Sequence, residues 1–349
     1  MGAMEYRQLG NTGVFVSRIC LGAMTFGGVG GIFEVIGGLR QHDVDALVGN
    51  SLDAGVNFID TANVYAAGES ETMTGKALGQ RRKDVVVATK VFGRMGPGAN
   101  QVGLSRLHIM QEVEASLLRL NTDYIDLYQI HGFDPLTPFE ETLGALTDLV
   151  RQGKVRYIGC SNLTAWQIMK ALGVSALGHL DKFITLQAYY SLAGRELERE
   201  IVPMLLDRKM GLLVWSPLAG GFLTAKFKRG AVDETARRSK FSFPPVNLEK
   251  GYDIIDAMIK VASKHSASVA QVALAWLLHR PAVTSVIIGA RNENQLKDNL
   301  GSVDVKLDEA DLKELDEVSR LAPEYPGWMI GGDDRRPGQV RDWSKLMKK

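Results

Sequence analysis

The chain has 349 residues, too many for one small domain and about right for one large barrel with extra loops. Hydrophobic residues make up 45% and charged ones 23%, and a formal charge of +1 excludes the concentrated positive field of a general nucleic-acid or membrane binder. No apolar stretch approaches a membrane-spanning length and the N-terminus has no basic region followed by a hydrophobic one, so a cytoplasmic protein is expected.

Taken in chain order, short apolar runs recur at 18–22, 57–60, 85–90, 124–131, 155–160, 183–188, 212–215 and 284–289. Each is rich in β-branched residues, and their continuous rather than alternating hydrophobicity suits parallel strands buried on both faces. A glycine-rich segment, 27–38, follows the first. Between the third and fourth, Ser105 is placed to cap a helix whose Ile109, Val113, Leu117 and Leu120 share one face. The stretch 268–280 also reads as a helix, stopped by Pro281. A long segment at 219–250 is basic in its middle, and the tail after Arg320 is rich in proline, glycine and aromatics. Cys20 and Cys160 lie inside apolar runs and read as packing residues, not as a disulfide or metal pair. The repeat fits residues 4–320 as one unit, with 321–349 as a tail able to cover a site. Strands alternating with helices form either a closed barrel or an open doubly wound sheet, and periodicity leaves both open.

Several familiar motifs are missing. Gly27-Gly28-Val29-Gly30-Gly31 has the wrong spacing for a dinucleotide fingerprint, and Gly75-Lys76 has Ser70 where a P-loop needs glycine. There is no H-E-x-x-H and no C-x-x-C, and the histidines are scattered, so no metal is expected. Chemistry is instead concentrated at strand C-terminal ends. The second run ends at Asp60 with Tyr65 shortly after it, the third ends at Lys90, and the fourth at His131. Singly, each has a plain explanation: a capped turn, a packed ring, a snorkelling lysine, a core histidine. Together at one barrel mouth they make a proton-transfer set. Reducing a carbonyl needs a proton at oxygen, and a free tyrosine with pKa near 10 releases one reluctantly. A Lys90 ammonium would lower that pKa, Asp60 would keep the ammonium charged, and His131 would place the carbonyl oxygen.

At this point the chain resembles the aldo-keto reductase superfamily from Leu9 to about Leu315. LGNTGVFVSRICLGAMTFG, FIDTANVYAAGESE and GLSRLHIMQEVEASLLRLNTDYIDLYQIH carry the likeness. The resemblance implies a (β/α)8 TIM barrel, NADP(H), no metal, and a catalytic tetrad on Asp60, Tyr65, Lys90 and His131. It further implies cofactor contacts from Gly22, Ala23 and Met24 after the first strand, and from Asp60. Ser161, Asn162 and Gln187 match the groups that hold the nicotinamide carboxamide, and Trp215 matches the aromatic stacked on its ring. Ser216, Pro217, Leu218, Gly220 and Lys226 match the loop over the pyrophosphate, with Arg237 a weaker contributor. Gly289 and Arg291 are expected to open a helix on which Arg291, Gln295 and Asn299 share a face, Arg291 gripping a 2′-phosphate.

The same superfamily contains regulatory channel β-subunits, which the chain resembles in VYAAG, WSPLAGG and GARNENQLKDN. Those carry asparagine at the position of His131, so the histidine here points to a metabolic, microbial enzyme. A barrel isomerase or hydrolase would have no use for Trp215 and Arg291. The substrate is expected to be a small aldehyde, ketone or sugar-like carbonyl, or the matching alcohol. Phe33, Phe92, Tyr325 and Trp328 are candidates for an apolar wall. A homo-oligomer is compatible with the sequence, which leaves the oligomeric state open.

Overall fold

In a computed structural model that describes residues 4–28, 33–227, 238 and 241–330, the chain opens with a hairpin that the apolar runs did not announce. Its strands β1 (Tyr6–Gln8) and β2 (Phe15–Ser17) pair antiparallel. The eight expected runs then appear as β3 (Ile19–Gly22), β4 (Phe58–Asp60), β5 (Val86–Val91), β6 (Ile125–Ile130), β7 (Val155–Ser161), β8 (Thr185–Tyr189), β9 (Gly211–Trp215) and β10 (Val283–Ile288). They are parallel and close in the order β10-β3-β4-β5-β6-β7-β8-β9, so the barrel is realised and the open sheet is not. Their bounds move by a residue or two because pairing, not hydrophobicity, sets where a strand ends.

The hairpin serves as the barrel floor. Leu9 and Val16 join Cys20, Phe58, Ala88, Leu127, Leu213 and Ile287 in a buried cluster. Gly10 turns there with φ +60, and a Cβ would meet the Ile184 carbonyl oxygen at 2.3 Å, so only glycine lets the turn press so close. Side chains on a strand alternate faces. One step of two above Phe58, Ala88, Leu127 and Leu213 therefore come Asp60, Lys90, Gln129 and Trp215, a second and largely polar layer. The apolar floor and the polar storey above it are one consequence of period-two alternation.

Helices cover the outside: α1 (Phe33–Ile36), α2 (Gln41–Asp53), α3 (Glu69–Leu78), α4 (Arg106–Leu120), α5 (Phe139–Arg151), α6 (Ala165–Gly178) and α7 (Ile201–Arg208), then Leu248–His265, Val269–Leu278, Glu293–Leu300 and Glu309–Ser319. Ser105 caps α4 as expected, its hydroxyl accepting from the His108 amide at 3.3 Å, and Ile109, Val113, Leu117 and Leu120 are buried. Ser268 caps Val269–Leu278, which ends slightly earlier than Pro281 alone would require. Tyr325 and Trp328 are 75% and 59% exposed and meet each other edge-on. Residues 331–349 of the expected tail lie outside the described residues. Among the described residues no helix is long and apolar enough to cross a membrane.

The seam between α3 and α4 offers a stability test. A Cβ on Gly75 would lie 2.4 Å from the Leu120 carbonyl oxygen, whereas one on Gly144 in α5 meets nothing within 4 Å. Gly75→Ala is expected to cost about 1–3 kcal/mol through overpacking, while Gly144→Ala gains up to about 1 kcal/mol of helix propensity. Urea unfolding of the two variants checks the contrast; equal midpoints would mean that α3 simply slides.

Candidate active site

Asp60, Lys90 and His131 stand at the ends of β4, β5 and β6, and the structure brings them together with Tyr65. Lys90 is fully buried; its Nζ donates to Asp60 Oδ2 at 2.6 Å, to the Thr61 carbonyl at 2.8 Å and to the Tyr65 hydroxyl at 3.3 Å. The ammonium thus has all three protons directed, one of them at the phenol. The Tyr65 ring meets His131 edge-on, centroids 5.7 Å apart at 74°. Tyr65 opens a tight turn, Tyr65–Gly68, in which Ala66 and Ala67 both hold positive φ, 47° and 53°. Two successive left-handed alanines are costly, on the order of 1 kcal/mol each, and such backbone persists where its surroundings demand it.

Asp60 is held by more than Lys90. Gln187 Nε2 donates to its Oδ1 at 2.8 Å and Gln129 Nε2 to the same oxygen at 3.2 Å. Gln129 was not anticipated, although its place two residues before His131 puts it on the same inward face. Gln129 Oε1 and Ser161 Oγ are buried with no hydrogen-bond partner. Buried polar atoms are rarely left so, and the pair marks a place where a ligand's donor and acceptor would be welcome. Asn162, with φ +58, ties the next two elements together: its amide nitrogen donates to the His131 carbonyl at 3.2 Å, and its oxygen accepts from Trp215 Nε1 at 2.9 Å.

The electrostatics correct one expectation. Burial would lower the Lys90 pKa, but the Asp60 carboxylate and the phenol outweigh it, so Lys90 is raised and stays an ammonium. Tyr65 is not made acidic. Burial raises its pKa, the Lys90 ammonium offsets only part of that, and Asp60 adds to the rise. The main reason is desolvation, which disfavours the phenolate; the Lys90 ammonium acts against it, and its carboxylate partner at Asp60 opposes that help. His131 is pushed down to about 3, first by burial and then by the Lys90 charge, so it is neutral at physiological pH.

The remaining expected positions line the strand ends nearby. The Ala23 amide donates to the Asp60 carbonyl at 2.9 Å and the Ala23 carbonyl accepts from Ser70 Oγ at 2.7 Å. Gly22 leaves room for Ile287, whose Cγ2 would lie 2.7 Å from an added Cβ, and Met24 follows in a turn. Ser216, with φ +51, accepts at its hydroxyl from the Gly220 amide at 2.9 Å, so Pro217 and Leu218 sit in a closed turn. Gly220 lets the Phe243 carbonyl approach, and Phe243 stacks on Trp215 at 5.7 Å and 10°. Lys226 is exposed. Arg237 lies outside the described residues, but its neighbour Arg238 is buried and donates to the Ala219 and Pro244 carbonyls at 3.1 and 2.8 Å.

The third expected face differs. The helix opens at Glu293, not at Gly289, because Asn292 is the better cap and its side chain accepts from the Gln295 amide at 2.9 Å. Arg291 therefore precedes the helix, and its backbone amide donates to Gln295 Oε1 at 2.9 Å. Asn299 is buried and donates to the Gly289 carbonyl at 3.1 Å, so it does not share an exposed face with Arg291. The Arg291 guanidinium donates through Nη2 to the carbonyls of Val35 and Ile36, at 3.1 and 3.4 Å.

Residues 18–320 match the Aldo/keto reductase family. An uncharacterised oxidoreductase of Bacillus subtilis is 38% identical, covering 90% of this chain and 96% of its own. A probable voltage-gated potassium channel β-subunit of Arabidopsis thaliana is 36% identical over 93% of this chain and 99% of its own. A versiconal hemiacetal acetate reductase of Aspergillus parasiticus is 35% identical, again over 93% and 99%. With the barrel closed and that match running through nearly all of it, the chain belongs to the aldo/keto reductase family, a family of oxidoreductases.

Proposed function

We propose that this protein is an NADP(H)-dependent carbonyl reductase in which Tyr65 supplies the proton. One observation carries the reading: a fully buried ammonium at Lys90 joins Asp60 to the Tyr65 hydroxyl, and neutral His131 stands against the same ring. A bound reduced nicotinamide would supply the hydride. Gln129 Oε1 is an unspent acceptor and the Ser161 hydroxyl an unspent donor and acceptor, the capacity that a carboxamide needs, with Asn162 and Gln187 beside them. Gly22, Ala23, Met24 and Trp215 would border the ring, and Ser216, Pro217, Leu218, Gly220 and Lys226 the pyrophosphate. Gly289, Arg291 and Gln295 would receive the adenosine end, with Asn299 supporting from below.

The protein's own part of the chemistry follows from the protonation states. Tyr65 is a neutral phenol at working pH and so is loaded as a donor. As its proton leaves for a carbonyl oxygen, the phenolate gains the hydrogen bond from Lys90 Nζ, which strengthens as negative charge develops. His131, neutral, orients the oxygen without competing as an acid. In the reverse direction the same phenolate accepts an alcohol proton. Small aldehydes and ketones are the substrate class that this geometry fits, and the names of relatives, among them a putative aryl-alcohol dehydrogenase of Schizosaccharomyces pombe, agree with it.

Steady-state turnover of a panel of aldehydes with NADPH and NADH tests the reading. Arg291→Ala is expected to raise the NADPH Kd by about 10–100-fold, the value of charge-assisted bonds to a phosphate, and to leave NADH nearly unchanged. Equal losses for both cofactors would remove Arg291 from the 2′-phosphate. The likeness to channel β-subunits favours a second reading, a cofactor-sensing regulatory protein, which would bind NADPH with little turnover.

A further inference from the structure

The glycine-rich segment between β3 and α2 has no part in the scheme above, yet it touches that scheme at both ends. At the first residue of α1, the Phe33 ring lies 5.8 Å from the Tyr65 ring, tilted 53°. At the other end of the same single turn, α1, the Val35 and Ile36 carbonyls accept from Arg291 Nη2. The turn is anchored as one body. The Gly37 amide donates to the Phe33 carbonyl at 2.8 Å, Gly38 to Gly27 at 2.6 Å and Gly27 to Leu39 at 3.2 Å, while the Ile36 side chain is buried. A Cβ on Gly37 would lie 2.2 Å from the Gly27 carbonyl oxygen, so the stem is closed backbone against backbone. The Gly28 amide donates to Glu69 Oε2 at 3.0 Å, which fastens the stem to the helix that follows the Tyr65 turn.

Arg291 is the other partner. A guanidinium has five donors in a rigid plane, and among the described residues only Nη2 is engaged. Nε and Nη1 remain for an anion while Nη2 holds the turn.

Resting on the NADP(H) reading, the geometry points to α1 as a coupling element. Its C-terminal carbonyls position Arg291 for a 2′-phosphate, and the same rigid turn sets Phe33 as the wall over Tyr65. Phosphate capture and the shape of the carbonyl pocket are then linked, and by thermodynamic reciprocity each changes the other by the same factor. Phe33 is on this account a positioning residue for a phosphate that it does not touch.

The test uses fragments that do not need turnover. Calorimetric titration with 2′,5′-ADP, which carries the 2′-phosphate but no nicotinamide, is compared with 5′-AMP for the wild type, Phe33→Ala and Arg291→Ala. Phe33→Ala is expected to weaken 2′,5′-ADP by about fivefold and leave 5′-AMP unchanged. In the wild type, 2′,5′-ADP should also slow hydrogen exchange across 33–39, and in Arg291→Ala it should not. If Phe33→Ala binds 2′,5′-ADP like the wild type, or the exchange of 33–39 ignores the fragment, Phe33 is only a pocket wall and the linkage is wrong. If the wild type itself does not prefer 2′,5′-ADP to 5′-AMP, the NADP(H) reading falls, and this inference with it; the wild-type titration alone distinguishes that case.

Discussion

Tyr65→Phe is expected to lower kcat/KM for aldehyde reduction by about 10²–10⁴-fold, the usual worth of a positioned general acid, while the NADPH Kd stays within about twofold. The substitution removes one oxygen and leaves the ring contacts with Phe33 and His131 in place. It takes from Lys90 one of three acceptors, and Asp60 and the Thr61 carbonyl keep the ammonium satisfied. A large loss in rate without a loss in fold or cofactor affinity therefore isolates the proton transfer. The pH dependence of the wild type is part of the same expectation. Tyr65 is raised above its ordinary value and His131 sits at about 3, so neither changes state across the neutral range. Reduction should be flat from about pH 5 to 9 and decline only as the phenol ionises. An inflection near the ordinary histidine pKa would mean that His131 is solvated and chemically active. Near-normal turnover by the phenylalanine variant would remove Tyr65 as the donor.

Asp60→Asn should be the most damaging substitution for stability. Lys90 is completely buried, and its carboxylate partner at 2.6 Å offsets the cost of desolvating it. Removing one member of a buried ion pair typically costs about 3–5 kcal/mol, because the other is left charged and unpaired. The sign of the pH dependence distinguishes this from a general packing defect. In the wild type the folded pKa of Lys90 is raised, so its contribution is fully present below the unfolded value near 10.4 and is lost as pH rises through the folded one. Tyr65, also raised, acts in the same direction, since the unfolded chain gives up the phenolic proton first. Wild-type stability should therefore fall on the alkaline side. In the variant, burial unopposed by a carboxylate depresses Lys90, and stability should instead recover as pH rises toward the ordinary lysine value. Denaturant unfolding at several pH values from about 7 to 12 reads both slopes, the variant's recovery below about pH 10 and the wild type's decline above it, and parallel curves for the two proteins would refute the account.

How much of this could be read from residue order depends on the range of the interaction. The eight barrel strands were legible because a strand buried on both faces must be apolar throughout, and that is a local property. The caps at Ser105 and Ser268 were legible for the same reason, since each acts within one turn. The meeting of Asp60, Tyr65, Lys90 and His131 was legible from polar residues placed at strand ends, aided by the family likeness. The hairpin was missed because β1 is short and largely exposed, with no hydrophobic run to announce it. Gln129 was missed because glutamine carries no proton chemistry of its own, and only the inward alternation of β6 gives it a role. The start of the helix after β10 was misplaced by a local competition in which Asn292 caps better than Gly289.

Residue order by itself determined the parallel barrel's repeating units and the kinds of side chain at its mouth, because hydrophobic periodicity and strand ends are written in neighbours. Tertiary structure alone decided that those units close, that burial raises the Tyr65 pKa in spite of Lys90, and that Arg291 leans on a turn more than 250 positions earlier. Those outcomes depend on burial and on fields summed over atoms far apart in the chain, and electrostatics in a desolvated site answers to distance in space.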